Sequence, residues 1–132
     1  SAFALGAHGV QIGTRFVATK ESSAHDNFRQ AITAASSNST ALCMKNLVPV
    51  RLLKNSFYKE VNKLENNGAT KEQLANLLGK GRAKLGMFEG DIEKGELEIG
   101  QGCGDISDVP SVSELISRLS FEYRESLKSL TE

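Results

Sequence analysis

GVQIGTRF, at residues 9–16, is the stretch that decides the fold. In it Val10 and Ile12 flank a polar residue, and glycines bound the group on both sides. This alternation of β-branched residues is typical of a short buried strand. A glycine directly after a strand lets backbone N–H groups face a bound phosphate, and the hydroxyl of Thr14 adds a donor beside Gly13. Because many plain turns contain the same Gly-Thr pair, the residues alone leave a phosphate site and an ordinary turn both open.

Helix signals surround this strand. Residues 1–7, SAFALGA, are small and apolar, and Gly6 has the position of a glycine that follows a helix C-terminus. No start signal precedes this helix end, so we expect the sequence to begin inside a longer protein. Downstream, Ser23 and Asp26 have the spacing of a capping box, which predicts a helix that ends near Ser36.

A helical hairpin is predicted after the polar loop that follows. Residues 41–45 leave a short strand and an irregular segment equally open. Pro49 suits the first turn of a helix, and apolar residues at helical spacing extend that helix over about residues 50–66. Thr70 and Gln73 then form a capping box for the second helix of the hairpin.

The last third of the chain divides into a loop-rich segment and a long helix. Eight of the 12 glycines lie in residues 79–104, a density that opposes continuous helix. The acidic run within residues 89–98 lacks the ligand order of a calcium loop, which favours a solvated turn over a metal site. Ser111 and Glu114 make a third capping box, and apolar residues recur at helical spacing from there to about Ser129. The sequence therefore predicts a predominantly α-helical chain with one strand.

Composition restricts the classes of function. The chain has 132 residues, the length of one domain, and 39% of them are hydrophobic, enough for a modest core. Its 16 basic and 16 acidic residues balance, which argues against nucleic acid or an anionic membrane as a partner. No apolar run reaches the roughly 20 residues of a membrane span, and the start lacks a signal-peptide pattern. We therefore expect a cytoplasmic protein.

Few residues have the arrangement of a catalytic or metal site. Cys43 and Cys103 lie 60 positions apart without zinc-ligand spacing, so free thiols are expected, and no histidine stands beside Cys103 to activate it. His25 suits a structural hydrogen-bond partner in the first turn of its helix. Arg15 and Arg51 could each reach a phosphate or a carboxylate, with surface pairing as the default.

The stretch at residues 4–28 closely resembles the end of the flavin barrel in the family of nitronate monooxygenases and type II enoyl-acyl-carrier-protein reductases. The pattern there is A-L-A-L-G-A-x-x-V-Q-x-G-T-R-F, then Glu-Ser or Glu-Cys and an Ala-His or Val-His pair. The matching residues here are Ala4, Leu5, Gly6, Ala7, Val10, Gln11, Gly13, Thr14, Arg15, Phe16, Glu21, Ser22, Ala24 and His25.

Three further motifs follow in the family's order, and the match spans about residues 2–120. They are Pro49-Val50-Arg51 with Lys54-Asn55, Glu89-Gly90-Asp91 with Gly95, and Gly100-Gln101 with Gly104. Several motifs in one order are far more specific than any single one.

The resemblance implies an α/β fold in which this chain is the C-terminal fragment of a (β/α)8 TIM barrel, the last strand plus a mostly helical region. Residues 1–36 would hold that strand, its flanking helices and the FMN phosphate loop, and residues 37–132 a helical extension that covers the active site. Loops after the last two strands of such barrels commonly bind phosphate. Four residues would line the FMN phosphate site: Gln11, Ile12, Gly13 and Thr14.

The implied function is the reduction of an enoyl thioester by an FMN enzyme, with NAD(P)H as cosubstrate, because the K-N, G-D and G-Q motifs are closer to the reductase branch. Oxidation of a nitronate by a monooxygenase is the alternative, and a non-catalytic helical interaction module is another. The family's earlier strands and its histidine have no counterpart here, so no catalytic residue is assigned and the chain alone is expected to be inactive.

The expected partners are a small-molecule or acyl-thioester substrate and further copies of the chain. Where many reductases carry apolar residues in the G-Q loop, this chain has Gly102, Cys103 and Asp105, so its substrate contacts are expected to differ. A lone strand with unpaired edges and helices with uncovered apolar faces predict self-association into a homo-oligomer.

Overall fold

The computed structural model describes residues 2–129. Helices dominate, and within those residues two short strands form one sheet. The main elements are α1 (Thr14–Val17), α2 (Asp26–Thr33), β1 (Thr40–Cys43), β2 (Val50–Leu53), α3 (Ser56–Asn66), α4 (Lys71–Leu78) and α5 (Val112–Ser129). Shorter pieces are 3-10 helices at Phe3–Leu5 and Gln101–Asp105 and a π-helix at Lys84–Phe88. The prediction of a mostly helical chain is confirmed.

Capping boxes place α4 and α5 where the sequence predicts them. Before α4, the Thr70 hydroxyl accepts the N–H of Gln73, and the Gln73 side chain accepts the N–H of Thr70. Ser111 and Glu114 exchange the same pair of bonds ahead of α5. Each box satisfies N–H groups that the first turn of a helix leaves unpaired, so these starts are encoded locally.

The segment before α3 is a strand, so the predicted helix start near residue 50 is wrong. β2 pairs antiparallel with β1 (Thr40–Cys43) over four residue pairs, so residues 41–43 form a strand, whereas Met44 and Lys45 lie outside it. The helix begins only after Asn55, whose Oδ1 accepts the N–H of Tyr58. The helical spacing of apolar residues does not reveal a partner strand elsewhere in the chain, and pairing with that strand makes this segment a strand. The predicted end at Asn66 is confirmed.

The strand predicted at residues 9–16 is absent from the structure. Val10 and Ile12 are 56% and 39% exposed, and the chain turns into α1 at Thr14. A strand is stable when neighbours satisfy its backbone donors and acceptors, and no described strand lies alongside this one. Upstream, Gly6 ends a short helix with a φ of 89°, in the position that the sequence predicts. Residues 3–13, all of them exposed, are called the N-terminal segment below.

The start and end of α2 also differ from the prediction. The N-cap is His25 rather than Ser23, and its Nδ1 accepts the N–H of Asn27 at 3.1 Å. The N–H of His25 donates to the carbonyl of Met87 at 2.8 Å, so contact with the π-helix fixes this boundary. The helix ends at Thr33, short of the predicted Ser36, where a serine-rich turn takes over.

Two clusters of buried side chains form the core. Cluster 1 packs α2 against the chain at residues 97–106, and cluster 2 fills the space between the β-hairpin and the α3–α4 pair. Cluster 1 consists of Ala18, Ala24, Phe28, Ile32, Leu53, Leu97, Ile99, Cys103 and Ile106. Cluster 2 consists of Cys43, Met44, Leu52, Phe57, Val61, Ala69 and Leu74. Cluster 1 takes residues from both sides of position 36, and the division into residues 1–36 and 37–132 stays a prediction.

Little of α5 is buried. Leu115 is its one buried residue among those described, and Phe121 on the same helix is 64% exposed. It contacts the N-terminal segment through the rings of Tyr123 and Phe3, whose centroids lie 5.4 Å apart in an edge-to-face arrangement. None of the described helices combines the length and the apolar composition needed to cross a bilayer.

Candidate functional site

The Gly-Thr pair that ends the N-terminal segment stands at the start of α1. Gly13 has a φ of −99° and is the N-cap of this helix, and its carbonyl accepts the N–H groups of Phe16 at 2.9 Å and Val17 at 3.3 Å. A Cβ added to Gly13 would meet nothing within 4 Å. The backbone here is therefore open to a ligand.

Thr14 joins this turn to the Gly-Gln loop at residues 100–104. Its Oγ1 accepts the N–H of Gly100 at 3.0 Å, and a Cβ at Gly100 would lie 2.7 Å from the same oxygen. Only glycine lets the loop approach the threonine this closely. Two motifs that are 86 residues apart in sequence thus meet at one point of the fold.

An open cleft of about 440 Å³ lies beside this contact. Its walls come from α1, the start of β2 and the chain before the Gly-Gln loop. The lining residues are Gly13, Thr14, Val17, Pro49, Val50, Arg51, Glu98, Ile99 and Gly100. We call this space the Gly-Thr cleft. Of the four residues expected to line a phosphate site, it contains Gly13 and Thr14.

The other two expected residues lie apart from the Gly-Thr cleft. Ile12 lines a second open cleft of about 440 Å³. Gly13 and Val112 also line this second cleft. Gln11 lines neither cleft and is exposed. Of the four expected residues, Gly13 and Thr14 line the Gly-Thr cleft, Ile12 lines the second cleft, and Gln11 lines neither.

The donors of the Gly-Thr cleft fit the chemistry of a phosphate. Phosphate oxygens only accept hydrogen bonds, and the N–H group of Thr14, which lines the cleft, has no acceptor within residues 2–129. The Thr14 hydroxyl accepts one bond and keeps its own proton to donate. These groups suit one wall of a phosphate site for a cofactor such as FMN.

Arg15 is turned away from the cleft. Its guanidinium donates to the Asp108 carboxylate at 2.5 Å and to the carbonyls of Asp108 and Ala18 at 3.1 and 3.3 Å. Arg118 binds the other carboxylate oxygen at 2.7 Å. The hydrogen bond from Arg118, with the charges of both arginines, holds the pKa of Asp108 below its ordinary value. Arg15 therefore links α1 to the chain before α5. It pairs with a carboxylate, as the sequence predicts by default.

Arg51 is the cationic residue that the structure adds to the cleft. Its guanidinium is half-buried and donates to the Thr40 hydroxyl at 3.1 Å. The sequence alone predicts surface pairing for both Arg51 and Arg15. Only the fold shows that Arg51 lines the cleft while Arg15 pairs with Asp108. The spacing of residues in a motif does not show which side chain will line the cleft.

The remaining polar residues have structural roles or are buried. His25 is a hydrogen-bond partner at the N-cap of α2, as expected. Cys43 and Cys103 are free and buried, and burial raises the pKa of both thiols, that of Cys43 to about 11. Glu21, in the Glu-Ser motif, accepts the N–H of Val112 at 3.0 Å and so supports the start of α5.

The acidic run is solvated only in part. Glu96 is 7% exposed, contrary to the expectation of a solvated turn, because the chain after Gly95 runs against cluster 1. Burial raises its pKa, and the charge of Glu98 acts in the same direction. Within residues 2–129, no group of three or more potential ligand side chains could hold a metal ion.

Comparison with known proteins identifies relatives of the whole chain. The sequence model of the nitronate monooxygenase family matches residues 1–122. The solved structure of FabK from Thermotoga maritima is 34% identical, with a TM-score of 0.90 over 98% of this chain and 41% of FabK. A point mutant of the same protein gives 32% identity and a TM-score of 0.82, over 98% of this chain and 39% of the mutant. The chain thus spans about two fifths of the length of these structures.

Proposed function

The chain belongs to the nitronate monooxygenase family, and from this premise we propose that it supplies the phosphate-binding wall of an FMN-dependent oxidoreductase that reduces an enoyl thioester with NAD(P)H. The observation that carries the proposal is the Gly-Thr cleft, where the N–H of Gly100 in the Gly-Gln loop donates to the Thr14 hydroxyl and the backbone N–H of Thr14 remains unpaired within residues 2–129. Both motifs belong to the resemblance, and the fold brings them into contact.

Enoyl reduction is placed first because of the solved relatives. FabK is an enoyl-acyl-carrier-protein reductase, and it matches 98% of this chain at 34% identity. Nitronate oxidation is the second candidate, since the family model that matches residues 1–122 is described by that activity. A cytoplasmic location and an acyl-thioester substrate are part of the first proposal.

The residues of this chain would bind and orient rather than react. The N–H group and the hydroxyl of Thr14 would hold the FMN phosphate, while Gly13 leaves room for its close approach. When bound, FMN supplies the redox chemistry, which no side chain can supply. The thiol of Cys103 stays protonated at neutral pH because burial raises its pKa, so it is not a nucleophile here.

The proposed phosphate site is tested with Gly13→Val. A Cβ at this position meets nothing within 4 Å in the protein, so the fold should persist, while the side chain at the cleft should lower the FMN content at least tenfold. Gly9→Val is the matched control, because Gly9 is equally open and lines neither cleft. Flavin absorbance of the purified proteins is the measurement. Equal FMN content in the two variants would contradict the site.

The reaction is tested by turnover of the protein as its gene encodes it. NADH oxidation with a crotonyl thioester is compared with oxygen consumption on a nitronate. The proposal predicts thioester-dependent NADH oxidation at the higher kcat/KM. A preference for the nitronate would select the second candidate, and wild-type protein that takes up no FMN would leave only a non-catalytic module.

A further inference from the structure

The arginines of the chain differ in how their guanidinium groups are used. Arg15 and Arg118 bind Asp108, and Arg29 binds Asp26 together with three backbone carbonyls. Arg82 donates to three carbonyls and lies 4.7 Å over the ring of Phe57. Each of these guanidinium groups either pairs with a carboxylate or donates several hydrogen bonds within the protein.

Arg51 is half-buried and has no such partner. Its one hydrogen bond within residues 2–129 goes to the hydroxyl of Thr40, which is neutral and 7% exposed. A guanidinium has five N–H donors, so four remain for another acceptor. Arg51 also has no carboxylate partner within residues 2–129, so its charge and its open donors are available to an anionic ligand.

The position of Arg51 points to what that ligand is. The side chain lines the Gly-Thr cleft together with Gly13 and Thr14. Its backbone is fixed on both sides, because β2 pairs with β1 and the carbonyl of Arg51 accepts the N–H of Ile99 at 3.2 Å. The bond to Thr40 further restricts the guanidinium. A rigid planar cation beside backbone donors is an arrangement that binds phosphate oxygens.

One carboxylate shares the cleft. Glu98 lines it and is exposed, and its backbone forms a bridge with Leu52, next to Arg51 on β2. Glu98 and Arg51 form no ion pair in the described part of the chain. Its negative charge opposes an anion in the cleft, so its removal should strengthen binding of that anion.

We propose that Arg51 is the side-chain cation that binds a ligand phosphate in the Gly-Thr cleft. The proposal rests on the proposed flavin function. Two ligands of that function carry a phosphate of the required chemistry: the phosphate monoester of FMN and the diphosphate of the nicotinamide cosubstrate. The cofactor is the nearer source, because Thr14 lies in the same cleft.

Paired titrations of FMN and riboflavin test the proposal, since the two flavins differ only in the phosphate. The protein as its gene encodes it is stripped of flavin and titrated by flavin fluorescence. Wild type should bind FMN more tightly than riboflavin. Arg51→Gln should weaken FMN at least tenfold and leave riboflavin unchanged, and Arg51→Lys should restore part of the difference. Arg124→Gln on exposed α5 removes the same charge away from the cleft and should change neither dissociation constant.

A second variant protects the test against loss of folding. Glu98→Gln should tighten FMN several-fold without affecting riboflavin, and circular dichroism should report an unchanged fold. If Arg51→Gln keeps the flavin difference but raises the KM for NADH at least tenfold, the phosphate bound is that of the cosubstrate. If neither changes, the role of Arg51 is overturned and the flavin function stands. Wild type that binds both flavins equally, or neither, would overturn the proposed phosphate site itself.

Discussion

The N-terminal segment and the packed region at residues 24–106 differ in what holds them. Every residue of the segment is exposed, and a few hydrogen bonds and the contact of Phe3 with Tyr123 hold it. The packed region contains most of the two buried clusters, and its helix α3 is capped by Asn55. The comparison teaches that the first part of the family motif, residues 4–13, lies where the chain contributes least to its own stability, while the core positions the loops beside it.

The largest effect that distinguishes the two regions is expected from truncating a large side chain. Phe57 is 1% exposed at the centre of cluster 2 and lies under the guanidinium of Arg82. Phe57→Ala should lower the free energy of unfolding by about 3–5 kcal/mol, as large cavities in protein cores do. Val10→Ala is the counterpart in the N-terminal segment and should cost less than about 0.5 kcal/mol.

Urea denaturation followed by circular dichroism measures both values. Similar losses for the two variants would break the comparison, because they would mean that the N-terminal segment is packed in solution.

Alanine substitutions at Gly95 in the packed region and at Gly9 in the N-terminal segment should give a smaller difference in stability. A Cβ at Gly95 would lie 2.1 Å from the Cα of Gly86, so the two backbones leave no room for a methyl group. Gly95→Ala should cost about 1–3 kcal/mol through the backbone shift that it forces. Gly9→Ala, where a Cβ meets nothing within 4 Å, should leave stability unchanged or slightly raised. Thermal melting of the two variants checks this, and a lower melting temperature for Gly9→Ala alone would refute it.

The smallest effect concerns a charge in the packed region. Burial raises the pKa of Glu96 above its ordinary value of 4.5, so the folded protein binds that proton more tightly than the unfolded chain does. The folded state therefore loses stability as the pH rises from about 4.5 through the raised pKa. Glu96→Gln should be more stable than wild type at pH 7, and the gain should vanish below pH ~4.

Denaturation midpoints across this pH range provide the measurement for Glu96. Glu60→Gln, on the exposed face of α3, is the control and should show no such dependence. A gain for Glu96→Gln that is equal at every pH would mean that the charge is not its cause.

The sequence predicts the starts of α4 and α5 correctly, because the signal for each start is local. The boxes at Thr70 and Ser111 satisfy their own backbone donors, and both helices begin there. Predictions from the sequence are wrong where a contact between distant parts of the chain decides the structure. Residues 50–53 have an apolar pattern that suits a helix, yet their partner strand makes them a strand. Residues 9–16 have the pattern of a strand, but the described chain supplies no neighbour for it.

The candidate site follows the same division. Gly13 and Thr14 were identified by a motif that is continuous in sequence, and the fold places both in one cleft. Arg15 and Arg51 were indistinguishable, because their roles depend on Asp108 and Thr40, which lie 93 and 11 positions away. The burial of Glu96 likewise depends on packing that no local pattern of charges encodes.

A crystal structure of the protein loaded with FMN tests the central claim most directly. The account predicts the phosphate in the Gly-Thr cleft, with its oxygens within about 3 Å of the N–H group of Thr14 and of the Arg51 guanidinium. A phosphate bound elsewhere, with this cleft filled only by water, would contradict it.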